Sequence, residues 1–120
     1  MQTCIKTYDY LLSMNLEKLN RIASLEDGWD LYKATSFSNS LIEFCRNLLF
    51  KLNRQPEIFP TANNSIQFEF KNKDDYLEIE IFDDLSCIEY YMKKGGKEIE
   101  KSTVVQDVIK VVNQFYYDEK

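Results

Sequence analysis

The sequence predicts an α+β fold with two N-terminal helices forming a helical hairpin, a three- to four-stranded antiparallel meander, and a C-terminal helix packed on one sheet face. Apolar residues recur at helical spacing in the first half of the chain, alternate with polar residues over residues 65–92, and return to helical spacing near the C-terminus. A length of 120 residues is close to the commonest domain size, so we expect a single domain over residues 1–120.

Two apolar stripes predict the first two helices. Helical spacing over residues 14–25 predicts the first of them. The second is a single face made by Leu41, Phe44, Cys45, Leu48, Leu49 and Leu52. Ser40 and Glu43 have the spacing of a capping box for this helix, and Ser36 or Ser38 is the alternative cap. The preceding residues 1–13 fit either an extension of the first helix or an edge strand.

Alternation with a period of two predicts the strands. The residues that alternate towards the core are Ile66, Phe68, Phe70, Leu77, Ile79, Ile81, Ile88, Tyr90 and Met92. Turn-forming residues separate these segments at 72–75, at 83–86 and at Gly95-Gly96. We therefore expect an antiparallel sheet with one face buried by the helices.

The last segment, residues 103–117, is rich in β-branched valines, which favour strands. Thr103 and Gln106 nevertheless have the spacing of a capping box, and the apolar residues keep helical spacing as far as Phe115. We therefore predict a C-terminal helix here.

The acidity of the chain is concentrated in its middle. The net charge is −5, and residues 65–92 carry eight acids against two lysines. If Phe70 pairs with Leu77 and Ile81 with Ile88, two pairs of glutamates lie opposite each other on the outward side of the sheet: Glu69 with Glu78, and Glu80 with Glu89. Like charges in such positions destabilise a sheet by about 0.2–1 kcal/mol per pair.

Two interpretations of this acidic segment stay open. The acids are either a solvated face that prevents sheets from associating edge to edge, or a recognition surface for a basic partner. In the second interpretation the partner-binding residues are Glu69, Glu78, Glu80, Glu89, Tyr76 and Tyr91. Direct binding to nucleic acid is disfavoured because the sequence has no basic stripe to neutralise phosphates.

The sequence argues against an enzyme. It contains no histidine, which removes the usual general base and the commonest metal ligand. Its three cysteines are far apart and lack a C-x-x-C pair, so neither a disulfide framework nor a zinc site is indicated. Glu69 and Lys71 form an E-x-K pair of the kind that ends some magnesium-dependent nuclease sites, but this motif is very common by chance. We expect no cofactor and no metal.

The only tryptophan, Trp29, lies in a glycine turn between two aspartates. We predict that Asp27, Gly28, Trp29 and Asp30 form a structural corner between the helices, with the indole N–H bonded to a backbone carbonyl. A lone tryptophan in a tight turn is more often part of the scaffold than of a site.

The motifs around this turn carry a resemblance. "LEDGWDLYKA", "PEIFPTANNSIQFEF" and "YLEIEIF" resemble, over residues 25–82, a group of small, acidic, largely uncharacterised bacterial proteins. Their pattern is D-G-W-D-G-Y-G-A, a helix, P-x-V-x-P-T, then S-I-Q-x-E and Y-L-E-x-E. Leu31 and Lys33 replace the two later glycines. The resemblance implies an accessory or mobile-element gene of bacterial or phage origin, without an established activity.

These observations predict a non-enzymatic inhibitor. We expect an acidic binding protein that neutralises a basic partner, such as a nuclease or a toxin, in the manner of an antitoxin, an immunity protein or an anti-defence (anti-CRISPR-like) protein. The alternative is a structural or regulatory subunit, or a homodimer, that pairs through an apolar helix face. The N-terminus fits neither a signal peptide nor a membrane span, which predicts a cytoplasmic protein without a membrane partner.

Overall fold

The chain folds into three helices and a five-stranded antiparallel sheet. The computed structural model describes residues 2–117, with side chains from residue 7 onward. The helices are α1 (Gln2–Ala23), α2 (Asn39–Lys51) and α3 (Val108–Tyr117). The strands are β1 (Glu57–Thr61), β2 (Ser65–Asn72), β3 (Asp75–Phe82), β4 (Ile88–Lys94) and β5 (Lys97–Thr103).

The sheet is a meander in which each strand pairs with the next along the chain, in the order β1-β2-β3-β4-β5. Phe70 pairs with Leu77, and Ile81 with Ile88, which settles the register that the sequence left open. The β1–β2 connection ends at Asn64, whose φ of 63° is the left-handed conformation that such short hairpin loops require. The Gly95-Gly96 pair turns β4 into β5, with φ of 60° and 79°.

The sheet has five strands, so the prediction of three to four was too low. Strand β1 contains Pro60, and a proline argues against a strand except at a sheet edge, which is where β1 lies. Strand β5 has one large apolar residue, Ile99, because it forms the other edge and is exposed over most of its length. Neither edge strand needs the apolar alternation that identified the three central strands.

The helices also differ from the prediction at their ends. Helix α1 starts at Gln2, well before residue 14, so the described part of 1–13 extends the first helix. At the other end, β5 runs to Thr103, a short 3₁₀ turn follows, and α3 starts only at Val108. The predicted capping box is therefore absent, and the Thr103 hydroxyl donates instead to the Asp107 carboxylate at 2.7 Å.

Ser38 caps helix α2, which resolves the alternatives left by the sequence. The Leu41 N–H donates to Ser38 Oγ at 3.1 Å, the position in which an N-cap side chain satisfies a free helix donor. The Ser38 N–H in turn donates to Asp83 Oδ1 at 2.7 Å. The start of α2 is thus fixed to the loop between β3 and β4.

The helices cover one face of the sheet and enclose the core with it. Helix α1 contacts α2 and β1, while α3 contacts β3 and β4. The core consists of the inward residues of β1 to β4 together with the apolar stripes of the helices, including Leu19, Leu41, Leu49, Phe68 and Phe115. Within residues 2–117 no helix has the length and apolar character needed to cross a membrane.

Candidate functional site: the acidic outer face of the sheet

The sheet surface opposite the helices, here called the outer face, is crossed by a row of glutamates. Successive side chains of a strand point to opposite faces, so the residues between the core positions face outward. The register aligns one row across all five strands: Glu57, Glu69, Glu78, Tyr91 and Glu100. A second row beside it consists of Phe59, Gln67, Glu80, Glu89 and Ser102.

The outer face carries most of the acidic character of the molecule. Its five strands present seven glutamates and two lysines, which amounts to a formal charge of −5. The net charge of the whole chain is also −5. The remaining charged residues therefore cancel, and the excess negative charge is confined to one surface.

Three pairs of glutamates lie directly opposite each other on this face. The register joins Glu69 to both Glu57 and Glu78, and it joins Glu80 to Glu89. Each such pair destabilises a sheet by about 0.2–1 kcal/mol. Two ion pairs join residues that the structure describes, Glu17–Arg21 and Glu43–Arg46, and both lie on helices. They leave the charge of the outer face uncompensated.

Uncharged donors hold three of the central carboxylates in place. The Gln67 side chain donates to Glu69 Oε2 at 2.8 Å, and the Tyr76 hydroxyl donates to Glu78 Oε1 at 2.8 Å. Ser65, which is buried, donates through Oγ to Glu80 Oε2 at 2.6 Å. These bonds fix the carboxylates without neutralising them, so the surface is both ordered and charged.

Two tyrosines lie on the outer face. Tyr91 is in the first row of glutamates, and Tyr76 is in the adjacent row, between Lys71 and Lys93. The ring centroids of Tyr76 and Tyr91 are 6.2 Å apart, and both side chains are half-buried. Partial burial, together with hydrogen bonds to the Glu78 and Glu69 carboxylates and their negative charge, raises the pKa of Tyr76 above its ordinary value. The pKa of Tyr91 is also raised, by desolvation and by the nearby Glu98 carboxylate. Both phenols are therefore neutral donors at physiological pH.

The structure brings the predicted partner-binding residues onto one surface. Glu69, Glu78, Glu80, Glu89, Tyr76 and Tyr91 all lie on the outer face of the three central strands. Sequence reasoning missed Glu57, Glu98 and Glu100, which extend the same face on the two edge strands. The alternation in Lys97–Lys101 directly after the Gly95-Gly96 turn was the available signal for the last two.

The corner around Trp29 lies away from this surface. The Trp29 indole N–H donates to the Thr35 carbonyl oxygen at 3.0 Å, and the ring packs against Phe37 at a centroid distance of 6.1 Å. Asp30 Oδ1 accepts the backbone N–H groups of Tyr32 and Ala34 at 2.9 and 3.1 Å. These bonds close the loop on itself.

The side chains of this loop also connect it to its surroundings. Asp27 Oδ1 accepts the Ser36 N–H at 2.8 Å, and Gly28, with a φ of 80°, donates its N–H to the Ala34 carbonyl. The Thr35 hydroxyl donates to the Asn64 side chain at 2.9 Å, which joins the loop to the β1–β2 turn. The hydrogen-bonding groups of the corner are thus used within the scaffold.

Among the described side chains, neither Cys45 nor the E-x-K pair is arranged as a nucleophile or a metal centre. Cys45 is fully buried, and desolvation raises the pKa of its thiol to about 12, so it is protonated and inert. The side chain of Cys4 lies outside those that the structure describes. Among the side chains that the structure describes, from residue 7 to residue 117, no group of three acidic, cysteine or histidine side chains is arranged to hold a metal ion. Glu69 and Lys71 simply face outward together on β2.

Comparison with known proteins yields no relatives: no protein-family model, curated protein or solved structure matches the chain. The resemblance based on the Asp27 turn and the strand motifs therefore stays a prediction. Fold and surface define a two-layer α+β protein whose open sheet face is acidic.

Proposed function

We propose that this protein is a non-enzymatic inhibitor that binds a basic, nucleic-acid-acting partner through the acidic outer face. The observation that carries the proposal is the confinement of the excess charge, −5, to the one sheet surface that the helices leave open. A surface of one sign attracts a partner of the opposite sign and increases its association rate. Proteins that act on nucleic acids commonly present such a basic surface.

The repulsion between facing glutamates on the outer face destabilises the sheet, and this supports a binding role over a purely solubilising one. Solubility requires charge but not a single sign, and mixed signs on the same strands would remove the repulsion within Glu69–Glu78 and Glu80–Glu89. The acids are also held by Ser65, Gln67 and Tyr76 rather than left to move freely. Fixed carboxylates lose less conformational entropy when a partner binds.

The tyrosines supply contact area next to the charges. The rings of Tyr76 and Tyr91 lie side by side on β3 and β4, and Tyr91 is near the middle of the face, where binding energy is usually concentrated. Aromatic rings with a hydroxyl group are enriched at protein interfaces because they combine apolar area with a hydrogen bond. We expect Tyr91→Ala to weaken partner binding by about tenfold or more, in line with a hot-spot residue.

A pull-down with two matched variants tests this function. The sheet variant combines Glu69→Gln, Glu78→Gln, Glu80→Gln and Glu89→Gln, and the control variant combines Asp9→Asn, Glu17→Gln, Glu26→Gln and Glu43→Gln at exposed positions away from the sheet. Both change the net charge equally. We expect wild type and control to retain the same basic protein from the source lysate and the sheet variant to lose it. Equal retention by all three proteins would show that the proposal is wrong.

A second candidate function is pairing through an apolar helix face, as a homodimer or regulatory subunit. Helix α1 exposes three large apolar side chains within two turns: Tyr10 is 64%, Leu11 is 42% and Met14 is 47% exposed. Apolar pairing responds weakly to salt, whereas electrostatic binding weakens strongly as salt is raised. Sedimentation of the wild type and of a Leu11→Glu, Met14→Glu variant distinguishes the two functions, since only pairing through α1 gives a dimer that the variant abolishes.

A further inference from the structure

The two edges of the sheet are protected to different degrees. At the β1 edge, Pro60 interrupts the row of backbone donors. Helix α1 also lies alongside this edge. Asn15 of α1 donates to the Pro56 carbonyl at 2.8 Å, and Lys18 Nζ of α1 lies 4.4 Å from the Phe59 ring centroid. Strand β5 has seven residues, contains no proline and is exposed from Lys97 through Ser102. The β5 edge is therefore the one that another strand can approach.

The two faces of β5 carry opposite charges. The register places Glu98 and Glu100 on the outer face, beside Lys93 and Tyr91 of β4. Lys97 and Lys101 point to the other side, on which Ile99 lies between them and is 44% exposed. Helix α3 packs against β3 and β4, so this side of β5 stays open to solvent.

We propose that the β5 edge binds an extended segment of the basic partner as a sixth strand. This inference rests on the proposed function, because it assigns the mode by which that partner docks. Strand addition obtains its affinity from backbone hydrogen bonds and its specificity from alternate side chains. The fitting segment carries lysine or arginine on the side of Glu98 and Glu100, and acidic or apolar residues on the side of Lys97 and Lys101.

A second copy of this chain fits the same edge poorly. Antiparallel pairing of β5 with itself about Ile99 would place Glu98 opposite Glu100 on one face and Lys97 opposite Lys101 on the other. Like charges directly opposite are destabilising, so the charges of β5 oppose self-association. The same charges favour a strand that places opposite charges against them. The β5 edge therefore discriminates between strands and does not simply prevent all pairing.

The test uses three synthetic peptides of nine residues with blocked ends. The parent peptide has arginine at alternate positions and valine or glutamate between them. The other two have the same sequence, but each is N-methylated on one of the two alternating sets of backbone amides. A β-strand presents alternate N–H groups to each side, so methylating only one of the two sets removes the bonds to β5. Binding is measured by calorimetry, and amide hydrogen exchange locates it on the protein.

We expect the parent peptide to bind and to protect alternate backbone amides of residues 97–103. One N-methylated peptide should bind at least tenfold more weakly, and the other should bind like the parent. Glu98→Lys should also weaken binding at least tenfold, whereas Glu26→Lys, the same charge change at an exposed loop position away from the sheet, should not. Equal binding by all three peptides without protection of β5 would overturn strand addition but leave charge-driven binding to the outer face intact. Absence of binding by the parent peptide would also overturn it, and the pull-down decides the proposed function separately.

Discussion

At the scale of single residues, the corner around Trp29 shows how side chains fix a loop that contains one glycine. Asp30 accepts two backbone N–H groups within the loop, and Asp27 accepts a third from Ser36. Under this constraint Leu31 adopts a φ of 66°, a left-handed conformation in which its side chain is 94% exposed. The strain at Leu31 has no packing contact to offset it, whereas Lys33 keeps an ordinary negative φ.

This difference predicts opposite effects of glycine at two nearby positions. The left-handed conformation costs a residue with a Cβ atom about 1–2 kcal/mol, and glycine avoids this at an entropic cost of about 0.5–1 kcal/mol. We expect Leu31→Gly to raise the free energy of unfolding by about 0.5 kcal/mol and Lys33→Gly to lower it by about 0.5–1 kcal/mol. Urea denaturation measures both. A loss of stability in Leu31→Gly as large as that in Lys33→Gly would contradict the strain at Leu31.

Tyr76 gives the outer face a measurable pH dependence. Its pKa is raised in the folded protein by partial burial and by the Glu78 and Glu69 carboxylates. The unfolded phenol titrates near pH ~10, so the stabilising contribution is complete below that pH and is lost as the pH rises above it. We expect the absorbance titration at 295 nm, taken as wild type minus Tyr76→Phe, to have its midpoint clearly above that value. A midpoint at the ordinary tyrosine pKa in the folded protein would contradict the hydrogen bond to Glu78.

At the scale of elements, the predictable parts of the fold are those with one buried face. Strands β2, β3 and β4 alternate apolar and polar residues because helices cover one side and solvent the other, so sequence pattern identified both their extent and the glutamates of the candidate site. Strand β1 is an edge strand that lacks this signal, so Glu57 could not be assigned to the outer face from the sequence. Strand β5, at the other edge, has only one large apolar residue, Ile99, and its alternation was a weaker signal for Glu98 and Glu100.

Helix ends were less predictable than helix interiors, for a different physical reason. The cap of α2 depends on the contact of Ser38 with Asp83, a residue 45 positions away, and local sequence does not report such a contact. Similarly, the first part of α1 is held by the Tyr8 hydroxyl, which donates to the Leu52 carbonyl at 2.6 Å. Local motifs such as the Thr103–Gln106 spacing can therefore be present without being used.

The assignment of the α2 cap predicts unequal effects of two serine substitutions. Ser38→Ala removes the acceptor for the Leu41 N–H and should lower the free energy of unfolding by about 1 kcal/mol. Ser40→Ala lies in the first turn of α2, is exposed and should change stability by less than about 0.5 kcal/mol. Thermal unfolding of both variants measures the difference. A larger effect at Ser40 would place the cap there instead.

The like-charged pairs predict that a substitution within the candidate site stabilises the protein. Glu89→Gln relieves the repulsion from Glu80 and should raise the free energy of unfolding by about 0.2–1 kcal/mol. Glu26→Gln changes the net charge equally at an exposed loop position and should stay within about 0.5 kcal/mol of wild type. A stability gain that is the same for both would attribute the effect to net charge and not to the sheet register.

At the scale of the whole molecule, the fold separates two surfaces with different charge. The rest of the molecule carries balanced charges, while the outer face carries an excess of −5. Its central carboxylates keep fixed positions through Ser65, Gln67 and Tyr76. Stability is reduced by repulsion on this face, and partner attraction is the benefit that we infer in return.

The rate at which the recovered partner associates with the protein, measured as salt is raised, tests that inference most directly. Steering by the outer face predicts a wild-type association rate constant that falls at least tenfold between about 50 and about 500 mM salt. The sheet variant should associate slowly at every salt concentration. The control variant has the same net charge as the sheet variant but should associate like the wild type. Equal association rates for the wild type and the sheet variant at low salt would contradict the proposed role of the acidic outer face.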